Sequence, residues 1–176
     1  MIPLRPSFID FGQKWPKNII IHHTFELGLD SGELSLSKDK YQINALNRRF
    51  YQKFKQYTPY HFILDKAGND FQVVVGRPLL TKVDFVDIPD KYSEDIHIGI
   101  IDNFHESIPS NRLYLVLSFR LLVPLMRLFN IDEDGILLHK DISEDKDHDC
   151  PGDFFNIARL RSTLRSQIRR RTVIRR

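Results

Sequence analysis

Apolar residues along the chain fall into short β-branched runs that alternate with stretches of helical period. Residues 18–21 (NIII) form one such run, closed by His22, His23 and Thr24, and predict a buried strand. Residues 27–37 (LGLDSGELSLS) read as a Gly-, Ser- and acid-rich loop. Ser37 can then cap a helix reaching about Gln56, with Ile43, Leu46, Phe50 and Phe54 on one face. Thr58-Pro59 stops it. Residues 60–64 (YHFIL) predict a strand, 65–69 (DKAGN) a turn, and 71–75 its hairpin partner. A long irregular loop over 78–95 precedes a further strand at 96–101 (IHIGII). Residues 111–129 are helical, with Leu113, Leu117, Leu121, Leu125 and Leu128 on one side and a kink expected at Pro124. A short strand at 135–139 (GILLH), an acidic loop over 141–149 and a final helix opening at Cys150-Pro151-Gly152 complete the chain. That helix should turn Phe154, Ile157, Leu160, Leu164 and Ile168 inward.

Strands alternating with helices, plus one hairpin, predict an α/β fold: a single domain with a central mixed β-sheet and helices on both faces. The length of 176 residues suits one domain, and 41% hydrophobic with 28% charged residues excludes disorder and low complexity. The longest apolar stretch, residues 113–126, is broken by Arg120 and Pro124, so no integral membrane segment is expected. The first 17 residues lack the apolar core of a secretion signal, which leaves the compartment open. Cys150 is the single cysteine, so no internal disulfide forms and it acts as a thiol or thiolate.

Charge sharpens the domain reading. The net charge of +3 hides 8 Arg and no acid from Arg159 onward, leaving 18 basic against 23 acidic residues in positions 1–158. We therefore expect a catalytic domain over 1–164 and a basic C-terminal tail over 165–176. The tail is either a solvated helix face or a weak binder of anionic surfaces. No aromatic or Gly-rich recognition motif accompanies it, so no nucleic-acid partner is expected.

Candidate chemistry centres on His22 and His139, each of which closes an apolar strand. Near-parallel strands deliver such side chains to one sheet edge. Eleven residues after His139 comes Cys150, and Pro151 places it as the N-cap of the last helix, where free N–H groups favour a thiolate. Two imidazoles and a thiolate are three zinc ligands that leave a fourth position for water, the layout of a catalytic site. Two other readings of the same atoms stay open on the residues alone. One is a cysteine nucleophile activated by His148 or His139, which the acidic surround disfavours. The other is a pair of backbone-bonded histidines beside an inert buried cysteine. His23 and His61 sit one position from site residues and should point to the opposite face. His97 and His105 read as structural or surface residues.

The ordered segments Ile19-Ile20-Ile21-His22-His23-Thr24, Tyr60-His61-Phe62, Gly76-Arg77-Pro78, Ile98-Gly99-Ile100, His139-Lys140-Asp141 and Cys150-Pro151-Gly152 resemble the zinc N-acetylmuramoyl-L-alanine amidases. That superfamily includes the phage lysozyme-type amidases and the peptidoglycan recognition proteins. The match runs from about Trp15 to Leu164. It implies an amidase-like fold, one zinc per chain held by His22, His139 and Cys150, and catalytic roles for Tyr60 and His148. The implied substrate is peptidoglycan or a muropeptide, cut in endolysin fashion between N-acetylmuramic acid and L-alanine. The alternative implied by the same resemblance is a non-catalytic peptidoglycan-binding module, a class marked by loss of a ligand, usually the cysteine. Two features depart from the family pattern. Residues 79–95 lack its Gly-Ala-His segment and Asn, and Asp102 stands where a glycine is customary after the IGI strand.

Overall fold

The computed structural model describes residues 15–24, 48, 51–52, 58–67, 70–83, 85 and 87–173. Five strands, β1 (Ile19–His23), β2 (Phe62–Ala67), β3 (Asp70–Val75), β4 (Ile96–Ile100) and β5 (Ile136–Leu138), form one sheet in the order β3-β2-β4-β1-β5. β1 is parallel to both β4 and β5, and β2 is parallel to β4, whereas the β2–β3 hairpin is antiparallel. The sheet is therefore mixed. β1 has partners on both sides, which explains why all five of its residues are buried.

Period two divides the strand residues between two faces. Ile19, Ile21, Ile96, Ile98, Ile100, Ile136 and Leu138 share one core with Leu113, Leu117, Leu121, Leu125, Leu160 and Leu164 of the helices. Leu117, Leu160 and Leu164 are fully buried there, and truncating such a leucine to alanine typically costs about 2–5 kcal/mol. The other face carries Ile20 and His22 of β1, registered beside His97 and Gly99 of β4. That face holds the candidate site.

Among the described residues from 87 onward the α-helices are α1 (Asn111–Val116), α2 (Val123–Phe129), α3 (His139–Ile142) and α4 (Ile157–Val173). Ser110 caps α1 by accepting the Leu113 N–H. Between α1 and α2 the backbone opens into a π-helical segment, Leu117–Leu122, where the Val123 N–H reaches back five residues to the Ser118 carbonyl. The segment immediately precedes Pro124, where a kink is expected: proline has no N–H to give and its ring would crowd the preceding turn, which the wider segment relieves. The extra residue also advances the helix phase. Met126 faces the core, and Leu128, expected inward, is 64% exposed.

Three further expectations shift. Strand pairing in the hairpin continues to Ala67 opposite Asp70, further than the expected strand ends. Asp65, expected in the turn, lies buried in β2, where its cross-strand partner Gln72 donates to it at 3.3 Å. The last helix begins at Ile157, with Asn156 accepting the Arg159 N–H, and Cys150 is not its cap. Of the helix expected over 37–56, only residues 48, 51 and 52 are among those described, and all three are helical. The 27–37 loop lies outside them. α4 passes position 164 without a break, and Arg165 Nε contacts both carboxylate oxygens of Glu133 at 3.0 and 2.8 Å. No helix among the described residues is long and apolar enough to cross a membrane.

Candidate metal centre

β5 pairs with β1 in parallel, Ile21 opposite Leu138, so the next residue on each chain, His22 and His139, emerges at the same sheet edge. Their ring centroids are 4.5 Å apart. The acidic segment after His139 returns Cys150 to this edge, where the Lys140 N–H donates to the Cys150 carbonyl at 2.8 Å. His22, His139 and Cys150 are all buried, and one donor atom from each lies within 4.8 Å of the others. Tetrahedral zinc with nitrogen and sulfur ligands separates its donors by roughly 3.4 Å, so small side-chain rotations would close this group around an ion. Two imidazoles and a thiol are also the donor types that zinc favours over magnesium or calcium.

The thiol is not activated by a helix terminus. The backbone of His23 lies beside it, with its N–H approaching Sγ at 3.4 Å. The chain after it must turn sharply. Gly152 adopts φ +101°, and a Cβ there would stand 2.5 Å from the Phe104 carbonyl carbon. The CPG sequence thus serves a tight backbone fit, not a helix start.

Tyr60 precedes β2 and lies with its ring 5.3 Å from that of His22. It is buried against Gly99 of β4, where a Cβ would come within 2.5 Å of its ring. The glycine of the IGI strand is therefore the floor on which this tyrosine rests. Its hydroxyl points to the His23 carbonyl at 3.5 Å.

His148 contacts His139, Nε2 to Nδ1, at 2.8 Å, and its Nδ1 lies 3.2 Å from Asp87 Oδ2. The same Asp87 oxygen is 2.9 Å from His139 Nε2 and accepts from Ser143 Oγ at 3.2 Å. The Asp87 carbonyl accepts the Glu144 N–H at 2.9 Å. Asp87, His139 and His148 form a second group of potential metal donors that shares His139 with the first.

Sequence reasoning missed three residues here: Asp87, Phe85 and His97. Phe85 stacks over His22, and Asp87 clasps His139 and His148, yet both belong to an irregular loop whose pattern carries no signal of its own. His97 touches His22 directly, Nδ1 to Nε2, at 2.9 Å. One signal for it existed. A histidine in the middle of the apolar run IHIGI, two positions before the glycine, shares the strand face that the parallel neighbour gives to His22. His61 also lies on this face, opposite the expectation, because its register beside His97 puts it there. Its Nδ1 accepts the His97 N–H at 3.0 Å and its Nε2 meets the Thr81 carbonyl at 3.1 Å. His23 does point away from it, and stacks on Phe104. His105, read as a structural or surface residue, meets Asp149 at 3.3 Å.

Burial governs the protonation of this cluster. It pushes the His22 imidazole well below its ordinary value, with His139 and His97 adding to the effect. Burial likewise lowers His97 to about 3 and His61 to about 4, against the carbonyls that each ring meets. Neutral imidazoles are the form that binds metal.

A mixed sheet that brings two histidines and a cysteine together at one edge of its parallel strands defines an α/β domain with a candidate three-donor metal site. The family of N-acetylmuramoyl-L-alanine amidases matches residues 12–153, and the chain belongs to it. A comparison with curated protein sequences finds no match. Among solved structures the chain is similar to the N-acetylmuramoyl-L-alanine amidase LysC from Clostridium intestinale URNW, with TM-score 0.62 and 21% identity over 85% of each chain. It is also similar to Drosophila PGRP-LB, with TM-score 0.56 and 18% identity over 88% of this chain and 82% of that one. A third likeness is to the peptidoglycan recognition proteins LCa and LCx, solved as an ectodomain complex with tracheal cytotoxin. There the TM-score is 0.56 and the identity 21%, over 81% of this chain and 80% of that one. These likenesses establish the amidase and peptidoglycan-recognition fold.

Proposed function

We propose that this chain is a zinc-dependent N-acetylmuramoyl-L-alanine amidase, hydrolysing the amide between the lactyl group of N-acetylmuramic acid and L-alanine of the stem peptide. The observation that carries this reading is the buried His22, His139 and Cys150 group, complete in a chain of an amidase family. His22, His139 and Cys150 would hold the ion. Zinc bound there supplies Lewis-acid polarisation of the scissile carbonyl and activation of a water for attack.

The remaining work falls to this chain's own side chains. Tyr60, fixed between Gly99 and the His22 ring, would orient the attacking water or donate to oxygen as it gains charge. His148 would protonate the departing amine of L-alanine, and Asp87, in contact with its Nδ1, fixes the ring that does so. Phe85 and the rest of the 78–95 loop would shape the approach of the stem peptide.

A binding-only reading draws on the likeness to recognition proteins solved with tracheal cytotoxin. The complete donor set favours hydrolysis over it. Mass spectrometry of purified peptidoglycan after incubation with the protein, with and without a chelator, tests both. Release of free stem peptides that stops with chelator supports the amidase; retention of intact material on the protein without cleavage supports the receptor.

A further inference from the structure

His97 is fully buried in the middle of β4, yet every polar atom of it that the structure places is matched. Its backbone N–H donates to His61 Nδ1 at 3.0 Å. Its Nε2 lies 3.0 Å from the Tyr92 carbonyl, at the end of the 3₁₀ turn Asp90–Tyr92. Its Nδ1 lies 2.9 Å from His22 Nε2. These contacts can be read as a proton assignment. A carbonyl only accepts, so Nε2 of His97 carries the hydrogen. Neutral His97 then has a bare lone pair on Nδ1. A 2.9 Å contact between two ring nitrogens needs one hydrogen between them, and that hydrogen must belong to His22 Nε2. A charged His97 could donate at both ends, but burial among aromatic rings disfavours the imidazolium. The neutral His22 ring so fixed has one nitrogen left with a lone pair, Nδ1.

We propose that His97 is a positioning residue for the metal centre: by accepting from His22 Nε2, and being fixed itself by the Tyr92 carbonyl, it presents His22 Nδ1 as the metal-binding atom. The inference rests on the zinc reading given above. It extends that reading by a relay running from a loop carbonyl through two adjacent parallel strands to a ligand, and it assigns a role to a residue outside the motifs of the family resemblance. Partners of this kind raise ligand basicity and hold ring orientation, and their loss typically costs 10–100-fold in metal affinity.

Two measurements on the full chain test it. Long-range ¹H–¹⁵N correlation spectra of the metal-free protein report the His22 tautomer directly. The expected result is hydrogen on Nε2, with the Nδ1 resonance moving on addition of zinc. Hydrogen on Nδ1, or coordination through Nε2, overturns the proposal without any variant needing to fold. The second measurement is zinc affinity by chelator competition. His97→Leu, which fills the space but cannot accept, should bind zinc 10–100-fold more weakly. His97→Asn, whose Oδ1 can stand where Nδ1 stood, should recover most of that loss. Equal affinities in wild type and His97→Leu would overturn the positioning role while leaving the zinc reading intact. Failure of the wild-type protein to bind zinc would instead remove the reading beneath it.

Discussion

Phe85 lies flat on His22, the two rings 4.9 Å apart and inclined by only 13°. The same phenylalanine ring is 5.7 Å from Tyr60 and 5.7 Å from His139, so one side chain of the 78–95 loop covers the middle of the candidate centre. Two residues on, Asp87 ties the loop to His139 and His148. The loop is thus the segment that closes over the candidate site.

Removing that cover should loosen the metal without removing a ligand. In Phe85→Ala, zinc stoichiometry should stay at one per chain, while chelator-driven zinc release quickens several-fold. Unchanged release kinetics would show that Phe85 does not shield the centre.

Cys150→Ser should abolish stoichiometric zinc binding at neutral pH, because a serine hydroxyl does not ionise there as a thiol beside a metal does. Elemental analysis of protein purified without added metal checks this. A serine variant with full zinc would contradict the ligand assignment.

Tyr60 and His148 should matter to rate and not to metal content. Tyr60→Phe removes one oxygen and keeps the packing on Gly99; muropeptide hydrolysis should fall 10²–10³-fold, about 3–4 kcal/mol in the barrier. His148→Ala should also slow turnover with zinc retained. Gly99→Ala should resemble Tyr60→Phe, since its new methyl group meets the tyrosine ring at 2.5 Å and must displace it. Full activity in Tyr60→Phe would end the case for its catalytic role.

Acid should destabilise the metal-free fold through the histidines that burial holds neutral. His61 is lowered to about 4 in the folded state from an ordinary value of 6.5, chiefly by burial. The unfolded chain therefore takes up a proton that the folded one refuses between those values. Stability is full above pH 6.5 and falls as pH drops toward 4, by at most ~1.4 kcal/mol per pH unit for this one group. Thermal melts across that range should show the decline. His61→Gln, which can still donate to the Thr81 carbonyl, should flatten part of it. Identical slopes in the two proteins would assign the acid sensitivity elsewhere.

We propose that the basic tail contributes to surface attachment alone. Replacing Arg169, Arg170 and Arg171 with Gln should weaken binding to anionic cell walls or anionic vesicles, most clearly at low salt. Hydrolysis of a small soluble muropeptide should not change. A collapse of that activity in a folded variant would make these arginines part of the catalytic domain.

The local elements were written in the sequence because each rests on near-neighbour physics. The β-branched run NIII, the strands IHIGI and GILL and the leucine spacing of 113–125 each announce a buried face, and the positions of His22 and His139 at the ends of the NIII and GILL runs follow from those runs alone. Cys150 stood out as the single thiol. Register was not legible. Only the parallel pairing of β1 with β4 and β5 sets His22 beside His97 on one side and His139 on the other. The covering loop was not legible either, because residues 78–95 have no period to read, and Phe85 and Asp87 are placed by what they touch. The phase of 111–129 beyond Pro124 was decided by a backbone adjustment that no side-chain pattern encodes. Periodicity reports which way a residue faces within its own element; which residues His22 and Cys150 then meet depends on contacts between positions 75 or more apart in the chain, and those exist only once the sheet has formed.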